Sequence, residues 1–222
     1  MSVPRPTVVV ARYKEKLDWL DDFNLDNFDV LIYTKCDQPS ECSPHQCINL
    51  PNVGLECHTY LTYIVNHYHN LPPVVLFTLA GLSKNAGPFH QSKYDKFQYI
   101  YAHYDNALNE GCITKDKAHA YEPKFKKSTH RHTSFANKCT DSSLTPAKVR
   151  PFGAWYRTYI DPDERRIARI GVSHNAIFAV SASAIRKHTL DFYNELLEQT
   201  THGKNVEVAH YMERTWLSMF KE

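Results

Sequence analysis

Three short apolar runs, set apart by stretches with helical periodicity, constrain this chain more than any other feature. Thr7-Val-Val-Val-Ala11, Asp29-Val-Leu-Ile-Tyr33 and Val74 to Leu79 lack the in–out alternation of a half-solvated strand and read as strands buried on both faces. Leu17, Trp19, Leu20 and Phe23 form a short amphipathic helix between the first two. Tyr60, Leu61, Ile64, Val65 and Tyr68 line one face of a second helix, entered at Gly54–Glu56 and stopped by Asn70 ahead of Pro72-Pro73. Strand–helix–strand–helix–strand predicts an α/β fold with a predominantly parallel central sheet flanked by helices. No repeat or linker divides it, so residues 1–222 read as a single domain.

Downstream the period is weaker. Phe97 to Leu108 reads as a helix, Cys36 to Pro51 as a polar loop and Asn109 to Lys148 as a long polar segment. Arg166 to Val180 regains strand character, and its end, Ala176-Ile-Phe-Ala-Val180, is expected to join the central sheet. One helix runs from Ser181 or Ser183 to about Gln199, and the last covers Glu207 to Phe220 with Val208, Tyr211, Met212, Thr215, Trp216 and Met219 inward.

Composition excludes several classes. A 222-residue chain with 42% hydrophobic and 23% charged residues buries a core of its own and is not a disordered chain. A net charge of +2 is too small for a protein that grips nucleic acid. The apolar runs, Val74 to Phe77 among them, are far below the roughly 20 residues of a membrane-spanning helix. Without a basic start and an apolar h-region, the chain reads as soluble and cytoplasmic. Cys36, Cys42 and Cys47, with His45 among them, lack the paired spacing of a structural zinc site and read as loop thiols. The basic, histidine-rich stretch from Lys115 to Lys138 reads as a solvated loop or as a clamp for an anion such as a diphosphate.

Open α/β sheets bind ligands beyond the carboxyl ends of their strands. Here those ends carry Arg12, Tyr13 and Glu15, then Thr34 and Lys35, then Thr78 to Ser83. An aromatic ring for base stacking, a cation for phosphate and a carboxylate for ribose hydroxyls make a nucleotide-binding set. Glu56 and His58 follow Gly54, whose missing Cβ permits close approach by a ligand or by backbone. His210, Glu213 and Arg214 fall on one face of the final helix.

Several segments together resemble the DUF3431 family. They are Val8-Val-Val-Ala-Arg-Tyr-Lys-Glu15, Phe28-Asp-Val-Leu-Ile-Tyr33, Leu50-Pro-Asn-Val-Gly-Leu-Glu-Cys-His-Thr-Tyr-Leu61, Pro151-Phe-Gly-Ala-Trp-Tyr156, Ile177-Phe-Ala-Val-Ser181 and His210-Tyr-Met-Glu-Arg-Thr-Trp216. The first strand followed by Arg12-Tyr13-x-Glu15 is also similar to the start of GT-A glycosyltransferases. That resemblance implies a GT-A-like architecture that moves a sugar from a nucleotide-sugar donor, a uridine diphosphate sugar, to a hydroxyl of a glycan or glycoprotein. It implies Arg12, Tyr13, Glu15 and Thr78 on the nucleotide, and Asn52, Gly54, Glu56, His58 and Arg214 on the substrate or diphosphate. Glu213 is the first choice for the catalytic base and Asp163 the second.

One departure bears on the metal. GT-A enzymes that use Mn²⁺ or Mg²⁺ carry Asp-x-Asp after a central strand, whereas this chain reads Phe77-Thr-Leu-Ala-Gly-Leu-Ser83 there. Its literal Asp-x-Asp, Asp161-Pro-Asp163, fits a turn equally well. His210 is the candidate metal ligand, and basic side chains are the alternative for neutralising the diphosphate. The rival reading is a non-catalytic nucleotide- or glycan-binding protein of the same fold.

Overall fold

A computed structural model describes residues 4–36, 44–115, 119–121, 144–162, 170–172 and 176–220. The three apolar runs are strands β1 (Thr7–Arg12), β2 (Asp29–Thr34) and β4 (Val74–Leu79), with β3 at Gln46–Asn49, β5 at Cys112–Ile113 and β8 at Phe178–Ser181. These six form one sheet in the order β3-β2-β1-β4-β8-β5. Two further strands, β6 (His119–Tyr121) and β7 (Ile170–Val172), pair antiparallel in a small separate sheet.

Alternate residues of each central strand serve two cores. Val9, Ala11, Tyr33, Val75, Phe77, Phe178 and Val180 pack on one face, against α1 (Leu55–His67) and α7 (Glu207–Phe220). Val8, Val10, Val30, Ile32, Val74, Leu76 and Ala179 pack on the other, against Trp19, Leu20 and the Tyr94, Phe97 and Ile100 face of α2 (Pro88–His103). One sheet thus organises both hydrophobic layers, as a single α/β domain.

The sheet is mixed, which corrects the expectation of a predominantly parallel one. β3, β2, β1 and β4 run parallel, but β8 runs antiparallel to both β4 and β5. Phe178-Ala-Val180 does join the sheet as expected. A central strand is an unbroken apolar run in either direction, because both its faces are buried; its polarity is set by the path of the chain into it.

Other elements differ from the sequence reading in length. The 17–23 segment is a 3-10 turn at Asp18–Asp22, and the 36–51 loop contains β3. The helix expected from Phe97 begins at Pro88, and the polar middle includes the short α3 (Ala107–Glu110), with α4 at Phe152–Tyr159. The helix expected over 181–199 is two, α5 (Ala182–Ile185) and α6 (Leu190–Glu198). Ser181 caps the first through its Oγ to the Ala184 N–H, and Thr189 restarts the second through its Oγ1 to the Phe192 N–H. Tyr193 and Tyr68 hydroxyls donate to the carbonyls of Ile185 and His188 at the break, at 2.7 and 2.6 Å.

Cys47 is disulfide-bonded, so it is not the loop thiol expected; Cys36, Cys57 and Cys112 are not in disulfides. Disulfides persist in oxidising rather than cytosolic surroundings. No helix among the described residues is long and apolar enough to cross a membrane.

Candidate functional site at the carboxyl ends of the sheet

Strand order reverses at β1: the chain steps outward to β2 and β3 on one side, then crosses to β4 on the other. Such a switch point leaves a crevice between the turns that follow the two central strands. A cleft of about 480 Å³ lies there, lined by Glu15, Asp18 and Trp19 after β1 and by Gly81, Ser83 and His90 after β4. Its walls are tied together. Trp19 Nε1 donates to the Ala80 carbonyl at 2.9 Å, the His90 ring lies 3.0 Å from the Gly81 carbonyl, and Lys84 pairs with Asp22 at 2.9 Å.

The turn after β1 is held by Glu15. Its Oε2 accepts from the backbone N–H of Tyr13 at 2.7 Å and of Lys14 at 3.1 Å, while Arg12 Nε donates to the Glu15 carbonyl at 2.8 Å. Tyr13 is left 42% exposed, with Lys14 Nζ 5.2 Å from its ring centroid. Arg12 Nη1 is buried without a hydrogen-bond partner among the described residues. Thr78 is placed otherwise: it is fully buried in β4 and its hydroxyl donates to the neighbouring Leu79 carbonyl.

A second group of side chains gathers over the same end of the sheet. Gly54 (φ 61°) and Leu55 (φ 50°) take left-handed backbone conformations and swing the chain into α1. The carbonyls of Val53 and Leu55 wrap the buried Lys35 ammonium at the end of β2. Glu56, half-buried in the first turn of α1, then faces Glu213 from α7, Lys93 from α2 and Lys35. Burial, helped by the like charge of Glu213, raises the Glu56 carboxyl to about 7. Burial lowers Lys93, against the pull of Glu56, Glu213 and Glu15. Lys93 thus feels the charges of all three carboxylates, and its Nζ sits 4.1 Å from the Phe89 ring centroid.

The remaining expected site residues have local duties. Gly54 lets backbone, not a ligand, come close: a Cβ there would lie 2.5 Å from the Thr200 carbonyl oxygen, and its N–H donates to the Gly203 carbonyl. Asn52 is half-buried in the turn before it. His58 is buried, with Nδ1 unpartnered among the described residues; burial and nearby Lys35 push it down to about 4, so it is neutral. Arg214 donates to the His210 carbonyl at 2.6 Å and lies 3.7 Å from Glu213. Asp163, and most of the basic stretch from Lys115 to Lys138, lie outside the described residues.

The metal expected from the GT-A resemblance does not fit these groups. The buried His210 ring is engaged by Asn205 Oδ1 at 2.8 Å. Among the described residues no three His, Cys, Asp or Glu side chains converge as ligands.

The Lys93 contribution was hidden because the sequence reading began α2 at Phe97. Gly87-Pro88 was the available signal, proline being favoured at the first helical position. Glu207 was also missed. It is almost fully buried and accepts from the Ala147 N–H at 3.0 Å and from Arg150 at 2.8 Å, fastening residues 145–150 to the start of α7. No curated protein matches the chain. A family model described as "Protein of unknown function (DUF3431)" matches residues 8–222, and the chain belongs to that family.

Proposed function

We propose that this protein is a glycosyltransferase that moves a sugar from a uridine diphosphate sugar to a hydroxyl of a glycan or glycoprotein. The observation that carries the reading is the cleft at the β1–β4 switch point, with Glu15 in its wall and Arg12 and Tyr13 on the same turn after β1, and with Lys93 under the pull of Glu15 as well as of Glu56 and Glu213. Tyr13 stacks on the base, Arg12 supplies a guanidinium to the phosphates, and the lysine offsets charge that grows on the leaving diphosphate. A carboxylate of the Glu56–Glu213 pair takes the acceptor proton. No step is routed through a metal ion.

The absence of a carboxylate in Leu79-Ala-Gly-Leu-Ser83 favours a second reading, a nucleotide- or glycan-binding protein without chemistry. Release of diphosphate nucleotide from a panel of nucleotide sugars and acceptors, with Mn²⁺ and with chelator, separates the two. Turnover of a uridine donor supports transfer. Saturable binding with no turnover across the panel establishes the second reading.

A further inference from the structure

Asp18 and Asp22 after β1, and Ser83, Lys84, Asn85 and His90 after β4, make the polar part of the switch-point cleft together with Glu15 and Lys16. Some of these groups are already engaged. Asp22 pairs with Lys84 at 2.9 Å, and the same ammonium lies 5.0 Å from the Tyr94 ring centroid. Glu15 Oε2 accepts from two backbone N–H groups of its own turn. Others keep capacity for a ligand. Ser83 Oγ accepts from the Asn85 N–H at 3.2 Å, so its own O–H can donate. His90 meets the Gly81 carbonyl through Nδ1 at 3.0 Å; a carbonyl only accepts, so that nitrogen carries the proton, and in the neutral ring Nε2 is an acceptor. Asp18 and Asn85 are exposed, and bring a carboxylate and an amide. Trp19 and Leu82, each 5% or less exposed, give the lining its apolar part.

This lining is a poor match for a diphosphate. The ammonium groups of Lys16 and Lys84 stand against the carboxylates of Glu15, Asp18 and Asp22, and ionised phosphate oxygens offer only acceptors and like charge to Asp18 and to His90 Nε2. A pyranose suits it better: each hydroxyl both donates and accepts, and the C–H faces of the ring suit apolar walls. The volume, about 480 Å³, lies within the roughly 300–1,000 Å³ of small-molecule sites. We propose that the cleft binds a neutral sugar unit, whose hydroxyls donate to Asp18 and His90 and accept from Ser83 and Asn85, and that the diphosphate of a nucleotide sugar stays outside it, on the turn of Arg12 and Tyr13. The inference deepens the transferase reading and rests on it for the nucleotide alone. The sugar of a donor and that of an acceptor glycan share this chemistry, and separate probes tell them apart.

The test is the affinity of the wild type, Asp18→Ala and Asn85→Ala for UDP, UDP-glucose, UDP-N-acetylglucosamine, lactose and chitobiose, by calorimetry or, for weak binders, by ligand-observed NMR. Both positions are exposed, so the variants should fold, and thermal melts check that they do. Loss of a charged acceptor in Asp18→Ala is expected to weaken a sugar-bearing probe about 10-fold, with a smaller loss in Asn85→Ala and UDP affinity unchanged in both. Weakening of the nucleotide sugars relative to UDP puts the donor sugar in the cleft; weakening of lactose or chitobiose puts an acceptor glycan there. Tighter UDP binding in Asp18→Ala would place the diphosphate in the cleft and overturn the proposal. Sugar-probe affinities unmoved in both variants overturn it too, as does a wild type that binds none of the sugar probes. Failure of the transferase reading looks different: sugar binding that depends on Asp18, without turnover of any nucleotide sugar, removes transfer and leaves the sugar cleft standing.

Discussion

Lys35 Nζ lies 2.5 Å from the carbonyl oxygen of Val53, and it donates to the Leu55 carbonyl as well. One buried ammonium thus pins the end of β2 to the left-handed turn that aims Glu56 over the sheet. Lys35→Met removes the donor from both carbonyls. A loss of about 1–3 kcal/mol is expected for polar groups stripped of their partner, read as a lower urea midpoint at unchanged slope. An unchanged midpoint would show that the turn holds without this clasp.

Stability should respond to pH through two groups of opposite sign. Glu56 keeps its proton up to about 7 in the folded chain against an ordinary 4.5. The folded state then carries the extra proton, so this contribution is complete below about pH 4.5 and is lost as pH rises through 7. His58 is depressed to about 4 from 6.5, so its contribution is present above 6.5 and is lost as pH falls through 4. Thermal melts of the wild type and Glu56→Gln at pH 5, 6, 7 and 8 check this: the fall between pH 5 and 8 should be smaller in the variant. Parallel curves would refute the Glu56 contribution.

Nucleotide binding should depend on the turn after β1. Arg12→Ala and Tyr13→Ala are each expected to weaken UDP by about 1–3 kcal/mol, the range for charge-assisted hydrogen bonds and for base stacking on an aromatic ring. Thr78→Val, buried away from the cleft, should leave affinity unchanged. Calorimetry that finds UDP affinity intact in both the Arg12 and Tyr13 variants would move the nucleotide elsewhere.

Thiol labelling discriminates the cysteines. Cys36 is half-buried, Cys57 and Cys112 are buried, and burial raises the Cys57 thiol well above its usual range. Native alkylation followed by peptide mass spectrometry should modify Cys36 before Cys57 and Cys112, with Cys47 unmodified until reductant is added. Labelling of Cys47 in untreated native protein would contradict its disulfide.

The apolar runs at residues 7–11, 29–33 and 74–79 determine their own strands, because a buried stretch of β-branched and aromatic residues has no other economical conformation. The same holds for the inward face of the final helix, from Val208 to Met219. The turn residues after β1 are also legible, since a strand end and its loop are local in sequence. What lies across space is not. The antiparallel course of β8, the break between α5 and α6, and the meeting of Glu56, Glu213 and Lys93 join segments up to 157 residues apart, from Glu56 to Glu213. Their own sequences read as one more apolar run, one long helix and charges on separate elements, Glu56 and Glu213 among the expected site residues and Lys93 not. Burial and the like charge of Glu213 raise the Glu56 carboxyl, and both arise only when α1, α2 and α7 are packed around the sheet.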